Sequence, residues 1–270
     1  YNFVIALMSL AYVVAIRAGS HVLVFVFTSM TIGALGLLTV KGPGRDAREI
    51  ALAPLSWAVG AAIIGMEVFF FLLLAVVPPA DGSLLVRLSI PLSLLIGMLF
   101  LGRHVTRLGW LGGAMVTAGV GIMIARLTLP EQLGALLAAL ACAVIINLRS
   151  LATEHHPWNR RADTVPEKMR VTGIVVLVTA LAGLALTAMA TALVAAGLLP
   201  AMALVPTPAQ LGHPATLLLA GAVGAAIYSA LHYLGFSSVV KIGSENFIAS
   251  AAFTPVMTLA VQTLAEATGL

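Results

Sequence analysis

The chain has 270 residues, 61% of them hydrophobic and 9% charged, with a formal net charge of +4. Soluble domains carry about 25% charged residues, and a mean hydropathy of +1.09 leaves too little polar surface to coat a particle in water. The composition therefore excludes a soluble globular protein, and segments rich in Leu, Ala and Gly that are apolar all round exclude a transmembrane β-barrel, whose strands alternate with period two. The single cysteine, Cys142, excludes a disulfide within the chain. The expected fold class is all-α, a polytopic membrane helix bundle.

Pro, Gly and charge clusters punctuate the chain and set off nine predicted helices, near the roughly 20 residues that a bilayer core requires. The first two cover 2–17 and 21–40; the chain enters the first without a basic leader, so no signal peptide is expected. The third, 51–77, holds Glu67 and three consecutive phenylalanines, Phe69 to Phe71, which cannot all face one cavity. The fourth, 83–102, holds Arg87 near its start and Pro91 in mid-span, with Ser89 and Ser93 beside it. The fifth, 106–126, carries Gly109 and Gly113, a small pair suited to close helix packing. After the sixth, 130–149, the polar stretch 150–169 reads as a solvated linker. Its His155-His156 pair beside Glu154 lacks the further ligand that a metal would need. The seventh, 170–198, leads into prolines at 200, 206 and 208, an expected external loop. The eighth, 213–239, places Tyr228 and His232 four residues apart on one face. The ninth, 245–265, carries Pro255 in mid-span, near Thr254 and Thr258.

Loops that alternate sides put eleven basic residues on one side and two, Arg17 and Arg126, on the other, while Arg87 lies within a span. Basic loops stay in the cytoplasm. The N-terminus is therefore expected inside, in the inner membrane of a bacterial cell.

The fourth and ninth helices, which run in opposite directions, resemble each other. Pro91 is followed eleven residues later by Gly102, and Pro255 eleven residues later by Glu266. Five helices of spacing relate two halves of inverted topology, 1–127 and 128–270, the second with the cytoplasmic loop and, in this reading, a missing tenth helix. Inverted repeats are an architecture of alternating-access transporters, with the site near the midplane between the halves.

Pro91, the Leu101-Gly102 pair, and Gly109, Gly112 and Gly119 together resemble the paired fourth and fifth helices of the drug/metabolite transporter superfamily, in its EamA-type ten-helix members. Pro255 and Glu266 fit the same slots in the second half. Arg103 stands where that family usually has an acidic residue, and the first helix lacks the tryptophan of many members. The resemblance implies export of amino acids, metabolites or drugs, with relatives that move nucleotide sugars or lipid-linked sugars.

A charge inside a span costs roughly 2.5–3.5 kcal/mol near the centre on insertion scales, so Glu67 and Arg87 need a reason. They lie on a hairpin and could form a buried ion pair that fixes its register. Alternatively, Glu67 is a proton or cation site and Arg87 contacts an anionic group. Counting back from the two prolines puts Glu67 and His232 in equivalent slots, a titratable pair across a central cavity. Pro91 and Pro255 free backbone carbonyls in mid-span, as hinges or as static kinks. The candidate substrate or coupling residues are thus Glu67, Arg87, Pro91, Tyr228, His232 and Pro255. Nothing resembles a hydrolase nucleophile elbow, a phosphate loop or a zinc site, so no catalysis, cofactor or nucleic-acid partner is expected. The expected function is secondary-active export of a small metabolite, possible coupling to protons included, by a monomer or homodimer in membrane lipid. The alternative is a flippase for a lipid or lipid-linked sugar.

Overall fold

The structure, a computed structural model, describes residues 1–268, with the side chains of 129–131 outside the description. Among the described residues the chain runs through α1 (Asn2–Arg17), α2 (Val22–Leu38), α3 (Ala47–Leu52), α4 (Pro54–Leu74), α5 (Pro79–Leu85), α6 (Ser89–Leu101), α7 (Arg107–Ile124), α8 (Leu129–Glu154), α9 (Pro157–Arg161), α10 (Val165–Ala195), α11 (Pro208–Leu211), α12 (Pro214–Val223), α13 (Ser229–Ile242), α14 (Ser244–Ser250) and α15 (Thr254–Ala267). Seven segments among the described residues are long and apolar enough to cross a membrane: α4, α5–α6, α7, α8, α10, α11–α13 and α14–α15. Helices α1 and α2 are also apolar but shorter, at 16 and 17 residues. The result is a polytopic helix bundle. Its outer faces carry large exposed apolar side chains, such as Leu108, Met115, Phe253 and Val256, as a lipid-facing surface requires.

Both prolines break their spans in the same way. A seven-residue helix gives way to a three-residue 3-10 turn, Val86–Leu88 in one span and Ala251–Phe253 in the other. Pro91 or Pro255 then follows within the first three residues of the next helix. Proline has no N–H for the carbonyl four residues back, and the chain tightens locally to the i+3 pattern. The two broken spans pack antiparallel, α5 against α15 and α6 against α14.

Helix α2 sits between α10 and the α12–α13 span. That second contact is backbone-close. A Cβ on Gly33 would stand 2.9 Å from the Tyr228 Cβ, and one on Gly224 would stand 2.5 Å from the Ser29 carbonyl oxygen. Glycine is therefore needed at both positions for the approach. Just there the span widens into a π-turn, Gly224–Tyr228, and the Ser229 hydroxyl donates to the Gly33 carbonyl at 3.0 Å. Small residues that admit close backbones are the usual glue of membrane helices.

Two sequence expectations are corrected. The sixth helix does not stop at 149 but runs to Glu154, because Leu151 and Ala152 continue it and the extended His156 before Pro157 ends it. The stretch 150–169 is also no solvated linker. His156, Asn159 and Lys168 are buried. The His156 Nδ1 accepts from the Asn159 N–H at 3.3 Å, and its Nε2 meets the Ser56 hydroxyl at 2.9 Å. That hydroxyl donates to the Ile50 carbonyl, so the imidazole must carry its proton on Nε2. The Asn159 amide then donates to the Phe236 carbonyl at 2.8 Å. This segment clamps α3–α4 to α13 at the end of the bundle that holds the basic loops. The expected external loop contains α11, and the Thr191 hydroxyl donates to the Pro206 carbonyl at 3.0 Å, folding the loop over the end of α10.

Burial pushes the His156 imidazole down from 6.5 to about 4. Above pH 6.5 the folded and unfolded chains are both neutral there, and the clamp keeps its full contribution. Between pH 6.5 and 4 only the unfolded chain takes the proton, so stability falls as the pH falls; below about 4 the loss levels off. We expect the wild-type melting temperature to drop across this window by on the order of 5–10 °C more than that of His156→Gln. Parallel melting curves for the two proteins across that range would remove His156 from the pH response.

Candidate functional site

Glu67 lies seven residues before the end of α4, roughly 10 Å inside the span by helical rise, and is 1% exposed. It is not alone. The Tyr12 hydroxyl, on α1, donates to the Glu67 Oε2 at 2.5 Å and lies 2.5 Å from the Tyr228 hydroxyl. Tyr12 has one proton and gives it to the carboxylate, so Tyr228 must donate to Tyr12. Three helical segments thus contribute one link each to a Tyr228–Tyr12–Glu67 chain. The Tyr12 ring is held edge-on by Phe25, Phe70 and Phe71, with centroids 5.8, 6.0 and 5.2 Å away. Of the three phenylalanines, Phe69 is the exposed one.

Glu67 and Arg87 line one cavity. No ion pair joins them, which corrects the register-fixing pair considered from the sequence. Arg87 instead donates from Nε to the Ser83 carbonyl at 3.0 Å and from Nη1 to the Ala251 carbonyl at 2.8 Å. The α-helical partner of Ala251 would be the nitrogen of Pro255, which has no hydrogen. Arg87 therefore serves an acceptor in the other broken span. Side-chain amides serve the breaks as well: Asn147 donates to the Ser89 carbonyl at 3.0 Å and Asn2 to the Ser250 carbonyl at 2.9 Å.

His232 is buried but does not share the cavity of Glu67. It lines a smaller adjoining space, and its ring lies 5.0 Å from that of Tyr228. A carboxylate–imidazole pair across one central cavity is therefore not what the chain builds. Pro91 packs near Gly113, and neither it nor Pro255 lines the cavity. Both lie beside the backbone breaks, and Tyr228 reaches Glu67 through Tyr12.

Three participants were missed in the sequence. Arg149 lines both spaces, with Nη1 3.1 Å from the Met66 sulfur and Nη2 donating to the Tyr1 hydroxyl at 3.1 Å. The Tyr1 ring is tilted against that of Phe247, with centroids 4.7 Å apart. Tyr12 carried no signal beyond being polar-tipped in an apolar helix. Ion pairs among the described residues sit at the basic end. Arg103 reaches Glu154 at 3.7 Å and Glu245 at 3.2 Å, Lys41 meets Glu167 at 2.9 Å, and Arg170 meets Asp46 at 3.3 Å. Among the described residues no three His, Cys, Asp or Glu side chains converge to hold a metal ion.

No family model matches the sequence, and no curated protein is similar enough to match it. The site's chemistry must be argued from its own atoms.

Removing the Tyr12 hydroxyl strands two buried groups, the Glu67 carboxylate and the Tyr228 hydroxyl. Each unsatisfied buried group costs about 1–3 kcal/mol. Tyr12→Phe should therefore lower the thermal stability of the purified protein clearly, and the loss should shrink in a Glu67→Gln background. Additive losses in that double-mutant cycle would mean that the two side chains do not interact.

Proposed function

We propose that the chain is a secondary-active transporter that moves a small amphipathic metabolite by alternating access, and not an enzyme. The observation that carries this reading is a buried carboxylate, hydrogen-bonded through two tyrosines from two other spans, in the wall of a cavity within a polytopic bundle. Ionisable groups at membrane depth mark ion and substrate pathways. The matching proline-broken spans support two inverted repeats, the arrangement that resembles EamA-type drug/metabolite transporters. Glu67 is the coupling site, and protons are the coupling ion that best suits a carboxylate chained to hydroxyls. We place the basic end in the cytoplasm of a bacterial cell on the distribution of Lys and Arg, with export as the direction.

A second reading, a flippase for a lipid or lipid-linked sugar, is favoured by the apolar share of the cavity wall, which includes Ile5, Phe70, Val86 and Phe247. Proteoliposomes with an imposed pH gradient test the first reading. Glu67→Gln should abolish gradient-driven accumulation of substrate while leaving slow downhill exchange. Unchanged accumulation by that variant would remove Glu67 from coupling.

A further inference from the structure

The charges on the wall of the cavity that holds Glu67 do not cancel. Arg87 and Arg149 both line it, and Glu67 is the carboxylate they share it with. The ion pairs among the described residues include none of the three. Guanidinium groups stay protonated in proteins, so the wall carries one excess positive charge with Glu67 ionised and two with Glu67 protonated. Arg87 is buried and anchored to two carbonyls. Arg149 is held by Tyr1 and Met66, neither of which neutralises it. Glu67 Oε1 is buried without a hydrogen-bond partner. Around these groups the wall is apolar, with Ile5, Phe70, Val86 and Leu231. An uncompensated charge in an apolar enclosure is costly unless a counter-charge joins it.

We propose that this cavity takes a small monoanion with an apolar body, and that the anion and a proton load it together. The anionic group lies toward Arg149 and Arg87, and the apolar body lies along the aliphatic and aromatic wall. An ionised Glu67 repels that anion, so protonating Glu67 strengthens anion binding. By linkage the anion strengthens proton binding equally. A carboxylate site for a cation has the opposite sign, because cation and proton then compete. The groups that face Glu67 from the packed elements are Tyr12 on α1 and Tyr1 just before it, Cys142 and Arg149 on α8, Arg87 in the 3-10 turn, and Tyr228 with His232 on the span of α12–α13. Of the groups facing it, the two arginines supply the fixed positive charge. The proposal deepens the transporter reading and rests on it only for movement of the bound pair.

The test is binding to the full chain in phosphatidylcholine nanodiscs, by titration calorimetry with 4-phenylbutyrate, octanoate, 4-phenylbutylamine and 4-phenylbutyramide. The carboxylates should bind and the amine should not. Binding should take up about half a proton on average across pH 6 to 8, read from the dependence of the heat on buffer ionisation, and should therefore tighten about tenfold from pH 8 to pH 6. Glu67→Gln should lose both the proton uptake and the pH dependence of carboxylate binding. Arg149→Gln should weaken the carboxylates about tenfold or more, while Arg149→Lys keeps part of the affinity; thermal unfolding checks that each variant is folded. The proposal is overturned if the amine or amide binds as tightly as the acids, if no carboxylate binds, or if wild-type binding releases protons. Displacement of 4-phenylbutyrate by phosphatidic acid in the disc would assign the anion site to a lipid headgroup and overturn the small-anion assignment. Carboxylate binding with proton uptake but no flux in proteoliposomes would sink the transporter reading alone.

Discussion

The hydrogen bond from Tyr12 to Glu67 is the constraint around which the bundle is organised. A carboxylate at that depth has no route to water along its own short stem, so its partners must come from other spans. They come from α1 and from the span of α12–α13, and each must arrive with its hydroxyl at one point. The close backbone contact of α2 with that second span, at Gly33 and Gly224, sets where Tyr228 stands. The edge-on phenylalanines set where the Tyr12 ring stands. Packing that looks generic thereby serves one polar junction.

The proline-broken spans solve a second problem of the same kind. In a membrane a freed carbonyl must find a donor within the protein. Here Arg87 donates to the Ala251 carbonyl that Pro255 leaves free, and Asn147 and Asn2 add bonds to the Ser89 and Ser250 carbonyls beside the breaks. Arg87 thus belongs to two tasks at once. Its backbone lies in one break, its side chain completes the other, and it still forms part of the cavity wall. One hydrogen bond of this residue thus joins two antiparallel spans at their breaks.

The seven long apolar spans and the two shorter apolar helices, α1 and α2, were legible because apolar length and helix breakers dominate in a sequence this hydrophobic. Glu67 and Arg87 stood out for the same reason, as charges where lipid would not tolerate them. Their relationship was not legible. Whether two groups on a hairpin face each other depends on helix rotation, and Arg87 was drawn away by a carbonyl 164 residues further on. Arg149 was hidden by the boundary assigned to the sixth helix, since a basic residue at an apparent helix end reads as a loop residue. Tyr12 and the buried His156 were hidden because tyrosine and histidine change little in a hydropathy profile. Their partners, Glu67 and Ser56, are distant in the chain.

The widened turn at Gly224–Tyr228 bears on how this protein could vary. A π-turn accommodates an extra residue within an otherwise continuous helix. Everything beyond it, His232 and Leu231 included, is thereby rotated relative to what an uninterrupted α-helix would present. Loss of a single residue there would not shorten a loop or trim a terminus. It would spin half of a membrane span about its axis and exchange the side chains it offers to lipid for those it offers to its neighbours, so length in this short stretch is held as tightly as identity.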